Sequence, residues 1–82
     1  MSKSEKLFDR LMSGQSDANF SFNDLSALLT RLGYSGRTTK GSHTIFQRGD
    51  SFLNLQSAAG GKAKTYQIRQ VRAELKRRNI KP

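Results

Sequence analysis

Hydrophobic positions along the chain follow a helical period in three stretches and a strand-like alternation in the region between the second and third. Over residues 4–12, Leu7, Phe8, Leu11 and Met12 recur at i, i+1, i+4 and i+5, which places them on one side of a short helix. Ser2 and Glu5 stand ahead of it at capping-box spacing. The polar run 13–19 predicts the end of that helix. Over 22–32, Phe22, Leu25, Leu28, Leu29 and Leu32 keep the 3.6 period; Ser21 is an N-cap residue, Asp24 takes the capping-box position, and Gly33 fits the stop.

From Tyr34 the period changes. Residues 34–39 are short and rich in Ser and Thr, as in an edge strand; 43–48 and 51–56 predict two further strands. Tight turns at Lys40-Gly41 and Gly49-Asp50 make the three an antiparallel meander. In the middle strand His43 and Ile45 share one face, Thr44 and Phe46 the other, and alternation leaves open which face is the core. Residues 57–61 read as a flexible loop. Thr65 is expected to cap a last helix over 66–79, with Ile68, Val71 and Leu75 as its buried stripe. Phe8, Phe20, Phe22 and Phe52 are assigned to core or staple positions, and Tyr34 and Tyr66 to packing.

These elements give an α+β fold. Without the first helix the order is α-β-β-β-α, that of the double-stranded-RNA-binding fold, whose last helix and preceding lysines face phosphates. The expectation is therefore a double-stranded-RNA-binding-like domain with a three-stranded antiparallel sheet and an extra N-terminal helix.

Charge sharpens this. The chain has 82 residues and a net charge of +9. Residues 1–36 balance four cations with four carboxylates, whereas residues 62–82 carry eight cations against Glu74 alone. Such concentration makes a directed positive field and points to a polyanion. In the last helix Arg69, Arg72 and Lys76 align at i, i+3 and i+7, with Lys62 and Lys64 just before its positive end. Arg77, Arg78 and Lys81 suggest a frayed tail with diffuse attraction. With no cysteine, disulfides and thiolate metal sites are excluded, and nothing in the sequence asks for a bound metal or other cofactor. No apolar run approaches the roughly 20 residues of a membrane helix, and the N-terminus has no apolar h-region, so a soluble cytoplasmic protein is expected.

His43 is the only histidine. It follows Gly41 and Ser42 and opens the apolar-rich Thr44-Ile45-Phe46. The run Leu28-Leu29-Thr30-Arg31-Leu32-Gly33-Tyr34, followed by Lys40-Gly41-Ser42-His43-Thr44-Ile45-Phe46, resembles the HicA family of bacterial toxins. The stretch Lys64-Thr65-Tyr66-Gln67-Ile68-Arg69-Gln70-Val71-Arg72 is similar to that family's final helix. The resemblance covers roughly residues 21–78 and divides the chain into an N-terminal helical extension, 1–20, and a HicA-like domain, 21–82. It implies a small ribonuclease that cleaves messenger RNA and arrests translation, neutralised by a cognate HicB antitoxin, with His43 as the catalytic residue. Many members carry a second histidine after the third strand; here that stretch is Asn54-Leu55-Gln56-Ser57-Ala58-Ala59.

RNA brings its own nucleophile, the 2′-hydroxyl. Cleavage needs that proton removed, the leaving 5′-oxygen protonated and charge at phosphorus stabilised. An imidazole can perform either proton transfer near neutrality, so His43 is expected as general base or general acid. Arg37, Lys40 and Arg48 are close enough in sequence to reach the same phosphate. Ser42 could donate to a phosphate oxygen or orient His43. Lys62, Lys64, Arg69, Arg72 and Lys76 are the candidate RNA-binding side chains. The competing reading is a non-catalytic double-stranded-RNA-binding domain, which needs the charge but not His43. In either case a protein inhibitor is expected to present an acidic surface.

Overall fold

The computed structural model describes residues 2–41 and 43–82. Helix α1 spans Lys3–Ser13, α2 Phe22–Arg31 and α3 Thr65–Arg77; strands β1 (Ser35–Thr38), β2 (His43–Arg48) and β3 (Ser51–Gln56) lie between α2 and α3. Short 3-10 turns occupy Asp17–Asn19 and Ala59–Gly61. The fold is α+β, with a three-stranded antiparallel sheet in the order β1-β2-β3. Among the described residues no helix is long and apolar enough to cross a membrane.

Local chemistry sets the helix ends. Ser2 Oγ accepts from the Glu5 amide while Glu5 Oε1 accepts from the Ser2 amide, a complete capping box at α1. Ser21 Oγ accepts from the Asp24 amide at the start of α2. Phe20 just before that cap and Leu25 four residues after it are both fully buried, at hydrophobic-staple spacing. At the other end Gly33 takes φ 94°, its N–H reaching the Thr30 carbonyl and that of Tyr34 the Leu29 carbonyl. This is a Schellman motif, in which Gly33 supplies a left-handed residue without a Cβ penalty.

The open question in β2 resolves in favour of Phe46. It pairs with Leu53, and Thr44 with Leu55; Phe46, Leu53 and Leu55 are buried. They meet Leu25, Leu28 and Leu29 of α2 and Ile68, Val71 and Leu75 of α3 in one core. Leu7 and Leu11 bring α1 into the same core, with Phe8, Met12 and Phe22 at its margin, so residues 2–20 share the packing of the rest. Gly36 lies opposite Phe46, and a Cβ there would come within 2.8 Å of its ring. The missing side chain is the space the phenyl fills.

Several expectations need correction. The N-cap of α3 is Lys64, not Thr65, and no side chain caps it. Phe52 is not a core residue: it sits on the outer face of β3 and is 57% exposed. Tyr66 is 54% exposed and does not pack, whereas Tyr34 is buried. The 57–61 segment is tied down at its edge, where the Ala58 amide donates to the Lys62 carbonyl and the Ala63 amide to that of Phe20. The C-terminal cations are not a loose tail either. Arg77 and Arg78 both donate to Glu74, and Arg78 also to Asp50. Asn79 closes α3 at φ 55° while the Ile80 amide bonds the Leu75 carbonyl, which carries Ile80 back into the core.

Candidate functional site

The site begins with the register of β2. His43 is exposed and shares its face with Ile45 and Gln47, opposite to the buried face of Phe46. The preceding turn is fixed by the backbone: the His43 amide donates to the Lys40 carbonyl and the Thr39 amide to the His43 carbonyl. Lys40, exposed, stands three residues before His43 in that turn. Ser42 lies outside the described residues.

Two further cations stand on either side of the His43 position. Arg37 pairs with Ile45, so it is the diagonal neighbour of His43 across β1 and β2, about 7–8 Å away at Cα. On the other side His43 pairs with Gln56. Lys64 Nζ donates to Gln56 Oε1 at 2.8 Å, which brings the ammonium to the strand position opposite His43. The Gln56 amide in turn donates to Oε1 of Gln67, a buried side chain one turn into α3. This clamp between the end of β3 and the start of α3 holds Lys64 in place. The uncapped N-terminus of α3 opens at the same point and adds its partial positive charge. Sequence reasoning missed Gln56 and Gln67. The visible signal was that Gln67 lies four residues before Val71, at the margin of the buried stripe.

The remaining candidate residues lie elsewhere. Arg48 is five residues from His43, about 17 Å along the strand and on the opposite face. It runs beside Gly33 and lines an open cleft of about 620 Å³ with Ser51, Arg78 and Lys81. It does not share a phosphate with His43. Arg72 is turned inward: its guanidinium makes a bidentate pair with Asp17 at 2.9 and 2.8 Å and also donates to the Leu11 carbonyl. The pair raises the pKa of Arg72 and lowers that of Asp17. Arg72 thus docks the 13–19 segment and is not available to an external ligand. Lys62 Nζ reaches Asn19 Oδ1 at 3.3 Å, and Arg69 and Lys76 are exposed on α3.

A second polar cluster lies at the far end of α3. Tyr34 Oη and Ser51 Oγ are 2.7 Å apart, and Ser51 donates to Glu74 Oε2 at 2.6 Å. Because the single serine proton goes to the carboxylate, the tyrosine is the donor to Ser51. The Ser51 hydroxyl and the Arg77 and Arg78 guanidinium groups hold the Glu74 carboxyl down to about 2. The cluster fastens β3 to α3 and leaves the His43 end untouched.

The arrangement at His43 can therefore bind a phosphate between Arg37, Lys40 and Lys64 and move a proton beside it. Compared with protein-family models, with curated proteins and with solved structures, the chain matches none.

Proposed function

We propose that this chain is a metal-independent endoribonuclease of the HicA type, built on a double-stranded-RNA-binding-like fold and acting as the toxin of a toxin–antitoxin pair. The observation that carries this reading is an exposed imidazole with one cation on each side of it. His43 starts β2, Arg37 comes from β1, and Lys64 is held opposite His43 through Gln56. Among the described residues the sheet face that His43 shares holds no carboxylate.

In the proposed reaction the 2′-oxygen attacks the adjacent phosphorus. The bond from phosphorus to the 5′-oxygen breaks, leaving a 2′,3′-cyclic phosphate and a free 5′-hydroxyl. His43 performs one of the two proton transfers, taking the 2′ proton or delivering one to the 5′-oxygen, and water or a neighbouring lysine performs the other. Arg37, Lys40 and Lys64 stabilise the charge that builds on the phosphoryl oxygens. A cognate antitoxin with an acidic surface covers His43 or the basic side chains around α3, and salt weakens that complex.

The test is cleavage of RNA by the purified protein in excess chelator, beside the same strand with 2′-deoxy sugars throughout. The expected result is cleavage of the ribose strand alone, with cyclic phosphate ends. Equal cleavage of both strands, or cleavage only when a divalent cation is added, contradicts the proposal.

A further inference from the structure

The outer face of the sheet carries side chains that the proposed reaction does not use. Phe52, the second residue of β3, is 57% exposed while its neighbours Ser51 and Leu53 are buried. One exposed apolar side chain is ordinary on a protein surface, but Phe52 has company. It pairs with Gln47, which makes it the diagonal neighbour of half-buried Ile45, and Ile45 stands two residues from His43 on the same face. The strip from Phe52 through Ile45 to His43 is about 13 Å long by strand rise. Arg37 lies along one side of it, and Lys64 sits beyond Gln56 at the histidine end. Asn54, paired with Ile45, supplies an amide beside the apolar groups, while the Gln47 side-chain amide donates to the Gly49 carbonyl.

A ring and an aliphatic side chain offer a flat apolar support, cations beside them suit phosphates, and an amide suits the edges of bases. A duplex cannot use such a support, because its bases are already stacked on one another. We propose that the outer sheet face is a stacking platform for unpaired bases, with Phe52 carrying a base at the far end of the strip from the linkage at His43, and Arg37 and Lys64 holding the backbone. The substrate class is then single-stranded RNA. The proposal rests on the nuclease reading for its placement of the reacting linkage; the platform itself is tested without cleavage.

The full chain is titrated with a fluorescent 2′-O-methyl oligoribonucleotide of about ten nucleotides, within the range a single-strand groove accommodates, and with the same strand annealed to its complement. Blocking the 2′-oxygen prevents cleavage and leaves the bases intact. Phe52→Ala is expected to weaken single-strand binding about tenfold, Phe52→Tyr to restore it, and both to leave duplex binding unchanged. An abasic position that weakens wild-type binding is expected to cost the Phe52→Ala variant nothing further. The platform is overturned if Phe52→Ala binds the single strand as wild type does, which is also the result if the face serves a protein partner. It is equally overturned if strand and duplex weaken alike, or if the wild type prefers the duplex. If unmodified RNA stays intact with wild type while the Phe52→Ala loss is seen, the platform stands and the nuclease reading falls.

Discussion

At the scale of single residues, packing at Gly36 shows how little room the sheet leaves. The Phe46 ring covers the glycine so closely that a methyl group there would sit 2.8 Å from one ring carbon and 3.1 Å from the next. Phe46 is buried in the core and has no free space to retreat into. Gly36→Ala is therefore expected to destabilise the fold by about 1–3 kcal/mol, read as a lower urea midpoint at unchanged slope. An unchanged midpoint would show that the ring moves aside freely. Nothing in the order of residues announces this contact, since cross-strand register decides which residue faces Gly36. Alternation showed that His43 and Phe46 point to opposite faces; only the helices lying over Phe46 decided which face meets water. Phe52 departs from the core position expected of it for a related reason: an aromatic in a strand is usually buried, but Ser51, Leu53 and Leu55 share the buried face and parity leaves Phe52 on the other.

At the scale of elements, α3 divides its cations between structure and surface. Ile68, Val71 and Leu75 form the buried stripe that their spacing predicts. The apparent one-sign stripe of Arg69, Arg72 and Lys76 breaks at its centre, because Asp17 captures Arg72 from the 13–19 segment. Sequence alone could not reveal that pairing, which joins residues 55 positions apart. Arg72→Ala is expected to lower stability by about 1–3 kcal/mol, since Asp17 loses a bidentate, charge-assisted partner in a partly buried setting. Arg69→Ala is expected to leave stability within about 0.5 kcal/mol and to lower the salt dependence of RNA binding by about one unit of slope. Denaturant melts and salt titrations of the two variants separate the roles; a steeper effect of Arg72→Ala on RNA affinity than on stability would contradict the assignment. The lone carboxylate among the cations of residues 62–82 was a legible clue to an ion-pair hub. Glu74 accepts from Ser51, Arg77 and Arg78 at once.

At the scale of the molecule, the acidic groups link stability to pH. Glu74 titrates near 4.5 when free and at about 2 in the fold, held down first by the Ser51 hydroxyl and then by Arg77. Asp17 is lowered as well, by Arg72. Both ionised forms favour the folded state. Their contribution is complete above the unfolded values and disappears as pH falls through the folded ones, a loss on the order of 3 kcal/mol for Glu74. Unfolding free energy is thus expected to fall mainly between about pH 5 and 2. Glu74→Gln should be less stable near neutrality but flatter over that window, and an identical pH profile would contradict the linkage. The α+β class, element order and strand boundaries were legible from period and turn chemistry, and His43 from its singularity. The site was legible only in part. Lys64 is held opposite His43 by Gln56, whose backbone N–H is fixed in turn by Gln67, and the sequence neighbours of the two glutamines say nothing of the clamp.

In the proposed reaction the His43 imidazole acts on RNA that the surrounding cations bind. The direct test compares wild type and His43→Ala in single-turnover cleavage of one unmodified RNA, with binding measured on its 2′-O-methyl form. His43 is exposed, so its removal should leave the fold intact. The account predicts an unchanged binding constant and a cleavage rate lower by about 10²–10⁴-fold. Cleavage by His43→Ala at the wild-type rate would contradict it.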